Sequence, residues 1–371
     1  MSVKNILLGF LWLFLGSALR AQEIEFLDSP RLILGTYKER TASISSGDLD
    51  MDGDMDILVA NGRHWPGQNR VFFNNGRGIF TVEIDLGIQR ETTYATEVAD
   101  LDKDGDLDIV VGNDMAPNTI FLNNGKGNFV KNGNFGRDYA STRNITLADL
   151  NGDGSVDIVI TNRGQPNEIC WNNGKGNFIE NTSFGNNKDS TIDVEIADLN
   201  KDGYIDLVLA NRDGQPNYIY LNNGKKGFEE KLPFGTGKDN TRALGVGDLN
   251  NDGYLDIVTA NIGEPNVIYF GSGELSYSNS VIFDSSKNSS SSIFLEDLNG
   301  DNSLDIVVGN FESPNYVYFN NGDGLSWTPR RLSREKLDTY DIIGVDVNND
   351  QTIDIIEANS DGINRYYFNR H

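Results

Sequence analysis

Carboxylates recur along this chain at the spacing a hard cation requires. Seven nine-residue stretches carry Asp at their first, fifth and ninth positions and Asp or Asn at the third. The first holds Asp48, Asp50, Asp52, Asp54 and Asp56, and the second Asp100, Asp102, Asp104, Asp106 and Asp108. The third holds Asp149, Asn151, Asp153, Ser155 and Asp157, and the fourth Asp198, Asn200, Asp202, Tyr204 and Asp206. The fifth holds Asp248, Asn250, Asp252, Tyr254 and Asp256, and the sixth Asp297, Asn299, Asp301, Ser303 and Asp305. The seventh holds Asp346, Asn348, Asp350, Thr352 and Asp354. Side-chain oxygens at alternate positions, a backbone carbonyl from the seventh, and a turn-forming sixth residue make the oxygen shell of Ca2+. Gly fills the sixth position in five loops, Asn302 and Gln351 in the last two. Asn visits the left-handed region readily and Gln does not, so the seventh site is the weakest expectation. An EF-hand would place Glu at position 12 and flank the loop with helices. Here position 12 is Val59, Val111, Ile160, Leu209, Thr259 or Val308, residues of strands. The expected cofactor is therefore structural Ca2+, up to seven ions.

The loops account for the charge. The chain of 371 residues carries a net charge of −24. Positions one, three, five and nine supply 23 carboxylates, so seven divalent ions would bring the net to about −10. This balance disfavours nucleic acid as a partner. Met1 to Ala21 reads as a secretory signal peptide: Lys4, an apolar run from Ile6 to Leu15, and small Ala18 or Ala21 at the cut. The run is too short to span a bilayer. The expectation is a protein released to the periplasm, the cell surface or the medium, with residues 22–371 as one domain. Cys170 is the only cysteine, so no internal disulfide staples the fold. Its setting in EICW reads as a small buried hydrophobe.

The loops are set 49 to 52 residues apart, and a period near 50 marks units that must stack to bury a core. The third unit shows the elements: RNITLADL (143–150), VDIVITN (156–162), NEICWN (167–172) and NFIENTSFG (177–185) read as strands. Turns separate them, and no helical periodicity intervenes. Four antiparallel strands repeated seven times predict an all-β, seven-bladed β-propeller. The last unit ends after its third strand, NRYYFNR (364–370). EIEFLDSP (23–30) precedes the first loop as a fourth strand would, with Phe26 near the column of Phe80, Phe129, Phe178 and Phe228. The N-terminal strand is therefore expected to close the last blade, leaving no free edge and a monomer.

Tandem DxDxDGxxD loops in four-stranded units resemble the FG-GAP/VCBS-type repeats of integrin α-subunit propellers and of many exported bacterial proteins. The resemblance covers residues 23–371. It implies calcium loops between the first and second strands of each blade, on the lower face, and a partner-binding face opposite. Some fungal lectins share such a ring, which makes an extracellular glycan or protein the expected partner.

The face opposite the loops collects nine of the 17 arginines: Arg40, Arg63, Arg90, Arg137, Arg143, Arg163, Arg212, Arg242 and Arg365. Arg143, Arg163, Arg212 and Arg242 are placed to share one sector, and guanidinium forks suit carboxylate, sulfate or phosphate. The competing expectation is salt bridging to Asp189, Asp213 and Asp239. The loop NGRHWPGQN (61–69) adds His64 and Trp65, an indole being a sugar-stacking platform. Together these six residues form the candidate ligand site. A polysaccharide lyase is the alternative, with His64 as base, an Arg against a uronate, and Tyr94 or Tyr139 as acid. Two further columns repeat in every unit. Asn61, Asn113, Asn162, Asn211, Asn261, Asn310 and Asn359 fall 13 residues after the first loop Asp. Thr41, Thr93, Thr142, Thr191, Thr241, Ser290 and Thr339 fall seven before it. Both are expected to bond backbone at turns. Glu357 stands where other units have Val, Ile, Leu or Thr, which demands a partner or a wetter seventh blade.

Overall fold

The computed structural model describes residues 24–370, so the proposed leader and the C-terminal His371 lie outside it. Five four-stranded antiparallel sheets follow one another from Thr93 to Arg331. The third is representative, with strands Thr142–Ala148, Asp157–Asn162, Asn167–Trp171 and Glu180–Phe184. The fourth strand begins three residues later than the sequence suggests. Two more blades share long strands. Ile33–Gly47 ends blade 7 and opens blade 1, and Asp354–Arg370 supplies the second and third strands of blade 7. The result is a seven-bladed β-propeller.

Ring closure follows the expected route. Glu25, Phe26 and Leu27 pair antiparallel with Arg370, Asn369 and Phe368. After a break in register, Ile33 and Leu34 continue the same edge against Arg365 and Asn364. Phe26 is buried between blades 6 and 7 with Leu298, Val317, Ile355 and Tyr367. Phe178 occupies the corresponding place between blades 2 and 3, and Phe228 between blades 3 and 4.

Apolar side chains form seven clusters, each drawn from two neighbouring blades. No blade holds a core alone, which is why the units must stack. Cys170 is fully buried in the cluster between blades 2 and 3.

Two belts of amide side chains tie the junctions. On one face each repeating Asn side-chain NH2 donates to a carbonyl in its own turn, as Asn113 does to Pro117 and Asn162 to Pro166. Its oxygen accepts from the repeating Thr or Ser in six blades, at 2.8–3.2 Å. A second Asn column, not singled out in the sequence, carries the bond across. Asn69 donates to Thr93, Asn167 to Thr191, Asn217 to Thr241, Asn266 to Ser290, Asn315 to Thr339, and Asn364 to Thr41. Only the junction of blades 2 and 3 lacks it: the Asn118 NH2 is buried without a partner. On the aspartate-loop face, Asn74, Asn123, Asn172, Asn222, Asn320 and Asn369 each donate to a loop carbonyl of the preceding blade.

Glu357 is buried at 1% exposure and the blade is not wetter there. Its carboxyl accepts from the Asn315 amide at 2.6 Å and the Tyr367 hydroxyl at 3.0 Å. Burial still pushes its pKa up.

Candidate calcium loops and channel mouth

Each aspartate loop joins the first strand of a blade to the second. In loop 1, Asp48 accepts from the Asp52 and Gly53 N–H groups at 3.1 and 3.0 Å. Asp56 accepts from Leu49 and Asn74 at 3.0 and 2.8 Å. The same pattern reaches loop 7, where Asp346 holds Asp350 and Gln351, and Asp354 holds Val347 and Asn369. The sixth residue is left-handed throughout, with φ of 80–98° for Gly and 66° and 69° for Asn302 and Gln351. Gln351 keeps the loop shape at a strain of about 1 kcal/mol relative to Gly.

The donor set fits a hard cation. Carboxylate oxygens of Asp48, Asp50 and Asp56 lie within 4.8 Å of one another, as do those of Asp100, Asp102 and Asp108. Asp52 and Asp104 are not part of these groups; their side chains accept from the Asp54 and Asp106 N–H. One oxygen each of Asp50 and Asp102 is buried with no hydrogen-bond partner. Burial and the neighbouring Asp52 and Asp104 charges push Asp50 and Asp102 up in pKa. Burial, partly offset by backbone N–H bonds, raises Asp56, Asp305 and Asp354 to about 7. It raises Asp108, Asp157, Asp206 and Asp256 to about 6. An unneutralised cluster of this kind is what a divalent ion relieves.

The opposite ends of the seven inner strands frame a central channel of about 430 Å3. The residue following each repeating Thr or Ser forms its rim: Ala42, Tyr94, Arg143, Ile192, Arg242, Ser291 and Tyr340. Loops between second and third strands add Arg163, Arg212 and Phe311, and the long blade 1 loop adds His64. With Tyr94, Arg143, Ile192, Arg242 and Tyr340 these line a mouth cavity of about 80 Å3. Five of the six candidate ligand residues therefore meet. Trp65 does not: His64 takes φ 65° and turns to the Tyr94 hydroxyl at 2.8 Å, while the indole points out at 66% exposure. Tyr139, at 63% exposure, is also outside the mouth. Phe311, Tyr340 and Asp114 were not singled out, although position after the Thr column marks Tyr340.

Salt bridging accounts for part of the arginine set. Arg163 and Arg212 share Asp213 at 2.8 and 3.1 Å. Arg143 bonds Asp114 at 2.9 Å and lies 4.2 Å from the Tyr94 ring centre. Asp189 and Asp239 instead cap their own turns at Asn186 and Thr236. Burial, then the Arg63 and Arg143 charges, hold His64 below the ordinary imidazole range; burial pushes Tyr94 up.

Below the rim stand Glu97, Asp193, Glu195 and Asp341. Their surfaces face only the channel, so they are partly accessible by area but enclosed by the ring. Asp193 accepts from Val194 and Leu244 N–H and from Asn144. Asp341 accepts from Ile44, Ile342 and Ser292. Each thus stitches three blades. Burial, then the Asp341 and Asp193 charges, raise Glu97 to about 8. Its folded pKa exceeds the ordinary 4.5, so its contribution is full below about pH 4.5 and lost as pH rises through about 8. At fixed calcium, Glu97→Gln is expected to melt with wild type near pH 4.5. It should melt above wild type at higher pH. The gap should grow as pH rises from about 4.5 toward about 8, at no more than about 1.4 kcal/mol per pH unit, and level off above that. Thermal melts across that range check this; a pH-independent difference would rule it out.

A family model described as FG-GAP-like repeat matches residues 48–111, 100–160, 149–209, 198–259, 248–308 and 297–357. No curated protein matches the chain. Solved structures share the architecture. BBS1N in complex with ARL6DN, soaked with mercury, aligns at TM-score 0.60 and 12% identity over 92% of this chain and 96% of that one. An Agrocybe aegerita lectin, described as recognising non-reducing terminal N-acetylglucosamine, aligns at 0.58 and 22% identity over 80% and 81%. At these identities the likeness is one of fold. Among the described residues no helix is long and apolar enough to cross a membrane.

Proposed function

Because the chain belongs to the FG-GAP-like repeat family, we propose that it is an exported, calcium-stabilised propeller that binds an extracellular carbohydrate at its channel mouth. Calcium in the loops would supply countercharge to the Asp clusters and hold that face rigid. Export rests on the apolar run Ile6–Leu15, and a monomer on the closed ring. The observation that carries the reading is the convergence of Arg143, Arg163, Arg212, Arg242 and His64 with Tyr94, Tyr340 and Phe311 at one opening. Aromatic faces beside fixed donors suit the apolar faces and hydroxyls of a sugar. A ring of this fold recognises a terminal sugar in the lectin and sits in a protein complex in BBS1N. An extracellular protein is thus the competing ligand.

A glycan array, run with and without chelator, tests the reading. Binding should concentrate in a few residues, so Arg163→Ala/Arg212→Ala is expected to weaken the hits strongly. Trp65→Ala should weaken only glycans long enough to leave the mouth. An array without hits, beside capture of a defined extracellular protein by the same face, would replace carbohydrate with protein.

One observation favours a second reading, a uronate lyase. His64 Nδ1 and the Tyr94 hydroxyl are 2.8 Å apart, and burial with the Arg63 and Arg143 charges lowers the His64 pKa, which favours its base form. In β-elimination a base takes the C5 proton, the C4–O bond breaks, and an acid protonates the leaving oxygen. Growth of ultraviolet absorbance from a uronate polysaccharide, abolished by His64→Ala, would establish it. The binding reading expects none.

A further inference from the structure

We propose that the channel mouth is an oxyanion socket: it takes one carboxylate or sulfate ester of the bound sugar, end-on along the ring axis, with Arg242 as its principal donor. This deepens the carbohydrate reading and rests on it for the rest of the ligand.

Three of the four guanidinium groups at the mouth are already engaged. Arg143 is held by Asp114 and by the Thr142 carbonyl at 2.9 Å. Arg163 and Arg212 are held by Asp213. Arg242 lines both the channel and the mouth, yet among the described residues it makes no hydrogen bond or salt bridge. Its guanidinium carbon lies 5.6 Å from the Tyr340 ring centre, and the ring of blades encloses it. The carboxylate whose charge acts on it is Asp193, but that group is already committed to Leu244, Val194 and Asn144. Burial accordingly pulls the Arg242 pKa down. A guanidinium carries five N–H donors in a planar fork. Half-buried in the channel wall and without an acceptor from the protein, it is free to give an entering oxyanion bidentate, charge-assisted bonds.

Size sets how the ligand enters. The mouth holds about 80 Å3, room for one oxyanion group and not for a pyranose ring. The sugar therefore stays above the rim, and only its charged substituent descends. Position sets the stoichiometry. Arg242 occurs in one blade, and the socket lies on the sevenfold axis, so each chain has one. Sites built between blades would instead recur around the ring.

Calorimetric titration of calcium-loaded protein at fixed ionic strength tests this, with glucuronic acid, glucose 6-sulfate and glucose as probes. One charged sugar, or both, is expected to bind at one per chain, and glucose at least about tenfold more weakly. Which charged sugar binds separates the carboxylate from the sulfate source. Arg242→Gln is expected to weaken the charged probe at least about tenfold while melting at or above wild type, because it removes an unpaired enclosed charge. Arg242→Lys, which keeps the charge without the fork, should fall between. No preference for either charged sugar over glucose, more than one site per chain, or unchanged binding in Arg242→Gln would overturn the socket. A neutral glycan bound equally by Arg242→Gln would overturn it and leave the carbohydrate reading standing. Charged probes bound as expected beside an empty glycan array would keep the socket and remove the glycan.

Discussion

In excess chelator the melting temperature is expected to fall on the order of 20 °C or more. An ion that binds only the folded state at 100 times its dissociation constant contributes about 2.7 kcal/mol. One kcal/mol moves the midpoint of a large domain by roughly 2–4 °C, and up to seven loops share the fold. Stripped of ions, each loop keeps three to five carboxylates in one turn. The Asp50 and Asp102 oxygens then remain buried without any partner. The damage reaches the core, because the closing aspartates also hold the turns between third and fourth strands, as Asp56 holds Asn74. Calorimetry with chelator, then with calcium restored, measures the effect. An unchanged curve together with no calcium by elemental analysis would sink the loop assignment.

Removing residues 22–30 is expected to convert a soluble protein into one that aggregates or melts without cooperativity. The deletion strips Glu25, Phe26 and Leu27 from Phe368–Arg370 and bares an unpaired strand edge. It also removes Ile24 and Phe26 from the cluster between blades 6 and 7. Burial losses of that kind cost about 3–5 kcal/mol for a Phe and 2–5 for an Ile. Ile33 and Leu34 would still hold Arg365 and Asn364, so the ring is weakened at its outer edge rather than cut through. Light scattering and a calorimetric scan report the outcome. A monodisperse deletion that melts like wild type would mean the segment contributes nothing to closure.

The ring and its acidic loops were legible because both repeat in register. Asp48 to Asp346 recur every 49 to 52 residues, and the strands between them keep one alternation. The cross-blade Asn column was harder to see, because it keeps no constant distance from the repeating Asn that precedes it. Asn69 follows Asn61 by eight residues, Asn118 follows Asn113 by five, and Asn217 follows Asn211 by six. Turn length varies there, yet counted back from the Thr or Ser of the next blade they stand at a constant 24 residues, as Asn69 does from Thr93 and Asn217 from Thr241. The mouth was half legible. The arginines stood out as departures from the repeat, but their convergence depends on the inner strands meeting at an axis. The choice between His64 and Trp65 depended on one left-handed residue, which alternation cannot foresee. Glu357 looked anomalous because its partners, Asn315 and Tyr367, belong to another blade and another strand.

The pairing of Glu25 with Arg370 also sets a schedule. The earliest of the described strands is the last to find its place, because its partner, Phe368–Arg370, lies more than 300 residues later. Until then Ile24 and Phe26 have no hydrophobic cluster to enter, and the six earlier blades form an open arc with two unsatisfied ends. Local hairpins can form as the chain emerges, but the contact that completes the circle spans almost the whole sequence, which makes it the slow step. A nascent or truncated chain is therefore exposed for the full duration of synthesis. Its folding yield is then governed by how long that early strand is kept from pairing with a neighbour's edge.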